Sequence, residues 1–485
     1  MKSIWSKTCN IEGRPSLNND IEADVAVISG GMAGILAAYE LEQAGVHTVL
    51  LEADRIGGGQ TKNTTAKITS QHGMFCHTFI KNKGIETAKL YVQANQNAIE
   101  EYRRIIEKEQ ILCDLSVKDS YVYSRDEEKL KKETEAAQKL GMDASFEKQI
   151  EIPVLCAGAV RFPGQAEFHP LKFIEGLAGK LNIYENTPVK EVRENRIRTS
   201  CGTVLAGKII FAAHFPFVNF PGMYFTRMHQ ECSYVLALER AGTLNGMYIG
   251  EGENKLSFRQ YDGYILLGGE GHRTGENREG GRYAKLQKQA EILYPDCRVA
   301  AYWSAQDCVT ADNVPFIGRY APDCPDWLVA SGFQKWGMSS SMTAAMLLKD
   351  LVCGIENPYA TVFDPSRFSA EEIPQIMRDT GKAVKGLTKR FFYIPDETTA
   401  ALERGQGSIV ETSRGKAGFY KTEEGEIFQV EIVCPHLECE LSWNPDEKTW
   451  DCPCHGSRFD YKGKLLEGPA QEGIESSQAD EPAER

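Results

Sequence analysis

Towards its C-terminal end the chain sets Cys434-Pro-His436 and Cys452-Pro-Cys454-His455 at either end of a short loop-rich stretch, with fifteen residues between His436 and Cys452. One thiolate and one imidazole come from each half. Two thiolates suit one iron and two neutral imidazoles suit another, whereas Cys and His pairs also suit a single tetrahedral zinc. Short strands and Gly turns (Gly405, Gly407, Gly415, Gly418, Gly425) run from Phe391 onward. That is what a small all-β domain needs.

The stretch resembles the Rieske [2Fe-2S] family closely. His436 is followed by Leu437 and Cys439, and the second half reads Cys452-Pro-Cys454-His455-Gly456-Ser457. The resemblance implies that Cys434, His436, Cys452 and His455 ligate a one-electron cluster. It also implies a Cys439–Cys454 disulfide tying the two loops together and a Ser457 hydroxyl bonded to a cluster sulfide. Gly468-Pro469-Ala470 resembles the loop that closes over such a cluster. Two positions depart from the family: Phe459 stands where high-potential members carry Tyr, and Glu438 replaces a Gly. A lost donor and an added anion both disfavour the more negative reduced cluster, so a potential below the top of the range of about -150 to +300 mV is expected.

At 485 residues the chain is long enough for two or three domains, and its net charge of -13 argues against a nucleic-acid or anionic-membrane surface. The first twenty residues hold no signal-like apolar core, and no run of about eighteen apolar residues occurs. No integral membrane segment and a cytoplasmic location are therefore expected. Ten of the fourteen cysteines lie outside the Cys/His stretch at irregular spacings, as reduced thiols do.

Near the N-terminus, Asp24 to Ile28 reads as a buried parallel strand, followed by Ser29-Gly30-Gly31-Met32-Ala33-Gly34, a helix to about Ala44, and a second strand, Thr48 to Leu51, ending in Glu52. This order marks a dinucleotide fold. Gly31 lets the backbone approach a pyrophosphate, Gly34 allows close helix packing, and Glu52 accepts hydrogen bonds from a ribose. Ser29 replaces the first Gly of the fingerprint. A strained backbone there would cost about 1 kcal/mol.

After the second strand, Gly57-Gly58-Gly59-Gln60-Thr61 leads into Thr64-Thr65-Ala66-Lys67, small and hydroxyl-bearing residues able to wrap a flavin. Further on come Trp303, Asp307, Asp312, Pro315 and Gly318, then Ser331-Gly332-Phe333 and Lys335-Trp336-Gly337-Met338-Ser339. These blocks resemble the D-amino-acid-oxidase-like flavoproteins (the glycine and sarcosine oxidase superfamily). The resemblance implies FAD, with Thr64, Thr65 and Lys67 wrapping it, Gly337 and Met338 at the pyrimidine edge, and Lys335 or Trp336 bordering the reacting face. The helix from about Ser340 to Leu351 would turn its positive N-terminus towards the reduced ring.

Between these blocks, apolar residues recur at helical spacing over 85–109, a second helix runs from Glu127 to Leu140, and another follows His169-Pro170. Val189 to Val204 reads as a hairpin, Lys208 to Ala213 as a strand of the nucleotide domain, and 232–238, 255–259 and 263–267 as strands of an antiparallel sheet. In the family that sheet covers the flavin, which makes Arg259 and His229, with Arg227, His272 and Arg273, candidates for holding substrate. His72 is either near the flavin or structural. No general base is assignable.

The expected fold is an α/β, Rossmann-like FAD domain with an antiparallel-sheet substrate domain, joined to a small all-β Rieske domain. Its FAD-binding segments are about 21–80, 150–215 and 300–365, and its substrate segments about 81–149 and 216–299. A linker (366–389), the Rieske domain (390–475) and an acidic tail follow, with disorder expected from Gln471 onward. The expected function is oxidation of a small amine or amino acid at FAD, coupled to one-electron transfer through the [2Fe-2S] cluster to a redox partner protein or quinone-like acceptor. A reductase running in the opposite direction, and a redox sensor or carrier with a degenerate flavin site, use the same parts.

Overall fold

The computed structural model describes residues 2–252, 255–368, 377, 381, 402–413 and 415–479. Its first sheet is built on Ile21–Ile28, which runs parallel to Thr203–Phe211 on one side and to Thr48–Leu51 on the other. Residues 25–28 are all buried, as a parallel strand covered on both faces requires. Cys324–Ser331 and Asn182–Tyr184 extend the parallel core outward. An antiparallel edge strand, Phe316–Ala321, and the hairpin of Val189–Arg193 with Arg196–Thr199 complete eight strands. The helices Met32–Gln43 and Gly337–Val352 pack on each other beside this sheet. Residues 32–41 of the first are buried without a polar face, so it is an interior helix. The second begins three residues before the expected Ser340.

The second sheet has nine strands. Met228–Glu239 lies between Tyr264–Arg273 and Arg298–Thr310, antiparallel to both, and Ser257–Tyr261 and Met247–Gly250 continue from Tyr264–Arg273. Ser116–Ser124, Gly158–Glu167 and the two-residue strand Lys67–Ile68 follow. Gly158–Glu167 and Arg298–Thr310 were expected in the flavin-binding segments; both join this sheet instead. The pairing partner, which a local pattern does not reveal, decides the sheet a strand belongs to.

Helix Ile85–Glu109 begins after Gly84 and ends at Gln110, which takes a left-handed φ of 53°. Helix Glu127–Lys139 starts where the Asp126 carboxylate accepts the Lys129 N–H at 3.0 Å. Pro170–Ala178 opens on its Pro, with the His169 ring accepting the Lys172 N–H. No described helix is long and apolar enough to cross a membrane.

The C-terminal domain is two four-stranded antiparallel sheets. One contains Gly407–Thr412, Gly415–Lys421, Ile427–Val430 and Ser476–Ala479; the other Ser442–Asn444, Thr449–Asp451, Arg458–Asp460 and Leu465–Glu467. Leu441, Trp450 and Phe459 fill the core between them. Disorder was expected from Gln471, yet Ser476–Ala479 pairs with Ile427–Val430. Backbone pairing at an open sheet edge outweighs the polar composition there. The expected linker falls mainly outside the described residues.

The Gly turn packs closely on the buried start of its helix. A Cβ on Gly34 would stand 1.9 Å from the Ser29 carbonyl oxygen. Gly34→Ala is expected to cost about 1–3 kcal/mol in denaturant unfolding, through a shift of the turn away from the helix.

Candidate functional site

A cavity of about 750 Å³ runs from the Gly turn of the first sheet to the strands of the second. At the turn, Ser29 adopts φ 93°, the backbone a glycine takes without strain. The missing first Gly of the fingerprint therefore changes the residue but keeps its conformation. Gly31 lines the cavity, and a Cβ there would meet only the Thr61 hydroxyl, at 3.6 Å. The Thr61 hydroxyl in turn accepts the Met32 N–H at 3.0 Å.

Glu52 also lines the cavity, and its carboxylate accepts the N–H groups of Gly30 (2.7 Å) and Asp54 (2.9 Å). Burial pushes its pKa up, and the two N–H donors oppose that. A carboxylate has about four lone-pair sites, so two remain for hydroxyls. Thr64, Thr65, Lys67, Gly337 and Met338 are on the same wall. The glycine cradle, the acid and the helix N-terminus together fit FAD, with Gly31 and the start of the 32–43 helix for its pyrophosphate and Glu52 for its ribose.

Lys335 and Trp336 border the cavity, whereas Arg259 and His229 are not among its lining residues. The Lys335 ammonium faces Asp307 at 3.3 Å and Glu231 at 3.6 Å. Lys335 is 46% exposed, and its partial loss of solvent disfavours the charge, but Asp307 and then Glu231 outweigh that and raise the Lys335 pKa. Glu231 is pulled down to about 2, first by the hydrogen bond from His229, then, against burial, by Lys335. Trp336 stacks on His72 at 4.8 Å. The His72 nitrogens meet the Tyr91 hydroxyl (2.7 Å), the Thr69 carbonyl (3.0 Å) and the Ser339 hydroxyl (3.0 Å), and burial holds its pKa down at about 3. Of its two expected places, His72 takes the structural one.

Arg259 has a different place from the substrate-holding one expected of it. Its guanidinium donates to the carbonyls of Thr65 (2.7 Å) and Ala66 (2.8 Å) and pairs with Glu167 at 3.2 Å, all but fully buried. It pins the segment that wraps the cavity, because a buried guanidinium needs every donor matched. Arg227 donates to the Pro365 and Arg367 carbonyls, and Arg273 to the Cys454 carbonyl. His272 does line the cavity, held by the Tyr234 hydroxyl and the Arg273 carbonyl.

In the C-terminal domain Cys434, His436, Cys452 and His455 converge. Cys439 and Cys454 form a disulfide, and Cys434 and Cys452 are free and buried. The His436 and His455 rings lie 5.0 Å apart, each with a buried Nδ1 that has no hydrogen-bond partner. Burial keeps both imidazoles neutral, lowering their pKa values to about 4 and about 3. The Cys434 thiol is pulled down, first by a hydrogen bond from Cys452, then, against burial, by the His436 N–H and the Ser457 hydroxyl. Two neutral imidazoles with open Nδ1 atoms and two unbridged thiols fit a [2Fe-2S] cluster. Glu438 takes φ 57°, which accounts for a Gly at that position in the family. Phe459 is buried in the domain core.

The ligand loops are seated on the second sheet. Gln230 donates to the carbonyls of His455 (2.6 Å) and Gly468 (3.0 Å), and Gln306, which lines the cavity, donates to the Gly456 carbonyl (2.7 Å). A Cβ on Gly456 would stand 2.6 Å from Gln230 Cβ, so only glycine permits this approach. Asn219 accepts the His436 Nε2–H at 2.7 Å. Sequence patterns missed these polar anchors, since a glutamine on a strand has no signature; the glycine at 456 is a signal that could have pointed to a close neighbour.

Removing the buried guanidinium separates its structural part from any other. Arg259→Met leaves Glu167 buried without its partner and is expected to cost about 3–5 kcal/mol by chemical denaturation. Arg259→Met combined with Glu167→Leu should recover most of that loss.

Comparison with known proteins agrees with both halves. Residues 24–351 match the family model "FAD dependent oxidoreductase", and residues 394–478 match "Rieske [2Fe-2S] domain". YhfW of Bacillus subtilis (strain 168), described as a Rieske 2Fe-2S iron-sulfur protein, is 37% identical over 488 residues, 97% of this chain and 96% of that protein. Gamma-glutamylputrescine oxidoreductase of Escherichia coli (strain K12) is 27% identical over 215 residues, 41% of this chain and 50% of that one. Among solved structures, glycine oxidase from Geobacillus kaustophilus superposes with a TM-score of 0.61 at 19% identity, over 72% of this chain and 100% of that one. The zinc alternative falls away. With a Gly-turn cavity fit for FAD and a Cys/His pair of loops fit for a cluster, the chain belongs to the FAD dependent oxidoreductase family and carries a C-terminal Rieske [2Fe-2S] domain.

Proposed function

We propose that the protein oxidises the C–N bond of a small amine or amino-acid-like substrate and passes the electrons singly through its Rieske cluster to a redox partner protein or quinone-like acceptor. Bound FAD supplies two-electron chemistry and the cluster one-electron chemistry. The observation that carries this reading is the seating of the ligand loops on the cavity wall, where Gln306 lines the cavity and bonds the residue next to His455. Glycine oxidase and Gamma-glutamylputrescine oxidoreductase, to which the chain is similar, take their names from an amino acid and an amine.

The roles of the chain's own residues follow from their chemistry. Gly31 and Glu52 hold the dinucleotide, and Arg259 fixes the segment that wraps it. Glu231 and Asp307, both within ion-pair distance of Lys335, place carboxylates on the cavity edge of the sign that suits a cationic amine. A cytoplasmic location fits the ten cysteines outside the cluster region, all of them free.

Anaerobic mixing of the purified protein with glycine, N-methylglycine, L-proline and gamma-glutamylputrescine tests the reading. Flavin bleaching is expected first, then the electron paramagnetic resonance signal that dithionite gives the cluster. In Gln230→Ala, which loses its bonds to the His455 and Gly468 carbonyls at a residue that does not line the cavity, bleaching should keep its rate while the cluster signal is delayed. A cluster signal from dithionite alone would refute amine oxidation as its electron source.

A further inference from the structure

Among the charged side chains of the cavity wall, Lys67 differs from the rest. It lies on the strand Lys67–Ile68, its side chain almost completely buried, and it lines the cavity beside Ser257. Its Nζ donates to the Tyr248 carbonyl at 3.1 Å and to the Ser257 hydroxyl. Both partners are neutral. Two charged groups face it. Arg259 lies on the strand that carries Ser257, and Glu167 is the cross-strand neighbour of Lys67 itself. These two are paired with each other at 3.2 Å. Among the described residues, the single anion acting on Lys67 is thus already matched to a guanidinium, and Lys67 has no counter-ion of its own there.

A buried ammonium in that position is unfavourable. Burial, then the repulsion of Arg259, bring the Lys67 pKa down to about 7, with Glu167 opposing them. Lys335, on the same cavity wall, has two carboxylates and moves the other way. A neutral amine has two N–H groups and one lone pair. The Tyr248 carbonyl and the Ser257 hydroxyl use both N–H groups, which leaves the lone pair of this cavity-lining residue to take a proton.

We propose that Lys67 is the proton acceptor of the reaction: its neutral Nζ, held by Tyr248 and Ser257, takes the proton that a substrate ammonium must lose before its C–N bond is oxidised. This rests on the amine-oxidising reading above. The step balances as transfer of one proton. The substrate N–H bond breaks, its electron pair stays on the substrate nitrogen, and a new N–H bond forms on Lys67 Nζ. No other group of the cavity wall combines burial, a missing counter-ion and a free valence in this way among the described residues.

Two measurements on the flavin-loaded protein test the proposal. In protein labelled with ¹³C at lysine Cε, the resonance absent from Lys67→Gln is expected to titrate at about pH 7. A midpoint above pH 9 would overturn the assignment whatever the activity. In anaerobic stopped flow with glycine, N-methylglycine, L-proline and gamma-glutamylputrescine, the bleaching rate should rise with pH through about 7, since only deprotonated Lys67 accepts a proton. Lys67→Gln and Lys67→Arg should both lose about 10²–10⁴-fold at pH 7, with the limb displaced to the ionisation of the substrate amine and much of the rate regained at pH 10. Arg fails because a guanidinium does not give up its proton. Retention of the limb near pH 7 in Lys67→Gln would overturn the proposal. No bleaching by any of the four amines, with the ¹³C signal still titrating near 7, would instead sink the amine-oxidising reading and the base with it.

Discussion

The two halves of the molecule meet over a buried charge. Arg458, 4% exposed, is surrounded by Asp451 at 3.3 Å, Glu447 at 3.4 Å and Glu467 at 3.6 Å. Glu447 also accepts the Tyr283 hydroxyl (2.6 Å) from the helix Arg282–Leu293 and the Ser304 hydroxyl (2.8 Å) from the second sheet. Next to it, Asp446 accepts the N–H groups of Gly281 and Arg282 at the start of the helix Arg282–Leu293, where a carboxylate is favoured. A buried charge is tolerated only with its partners in place. Separating the domains would break the bonds of Glu447 to Tyr283 and Ser304 and those of Asp446 to Gly281 and Arg282, so the network favours one seating of the cluster loops on the cavity wall.

Much of this was legible in the sequence where chemistry demands a fixed spacing. The strand, Gly turn, helix order follows from short-range geometry that a linear pattern records, while the four cluster positions and the disulfide pair were implied by the resemblance of their spacing to the Rieske family. Ser29 shows what the pattern encodes: a φ above zero, which glycine adopts freely and serine at modest cost. Long-range contacts left no such trace. Arg259 was a candidate for holding substrate, and the structure points its planar fork at backbone carbonyls instead. Gln230 and Gln306 looked like ordinary strand residues. Even the strand near the C-terminus was hidden, because its partner Ile427–Val430 lies about fifty residues away.

The cavity puts two lysines under opposite electrostatic regimes. Lys335, 46% exposed, faces Glu231 and Asp307, so Coulomb attraction outweighs its partial loss of solvent and the ammonium persists. Lys67 faces a carboxylate already spent on Arg259, so the cost of burial prevails. One residue type thus supplies a fixed charge at one place and a titratable amine at another. The difference lies in how the neighbouring acids are shared out.

The outer edges of the cluster histidines already have neighbours. Asn219 accepts the His436 Nε2–H, the Phe225 ring lies 6.4 Å from the His436 ring and 5.8 Å from the His455 ring, and Phe215 lies 6.3 Å from the His455 ring. These residues belong to the same chain as the ligands. A molecule arriving from solvent must therefore compete with a contact whose effective concentration is set by covalent connection and does not fall on dilution. Occupancy of that edge is a property of the folded chain, independent of how much protein or acceptor the solution contains.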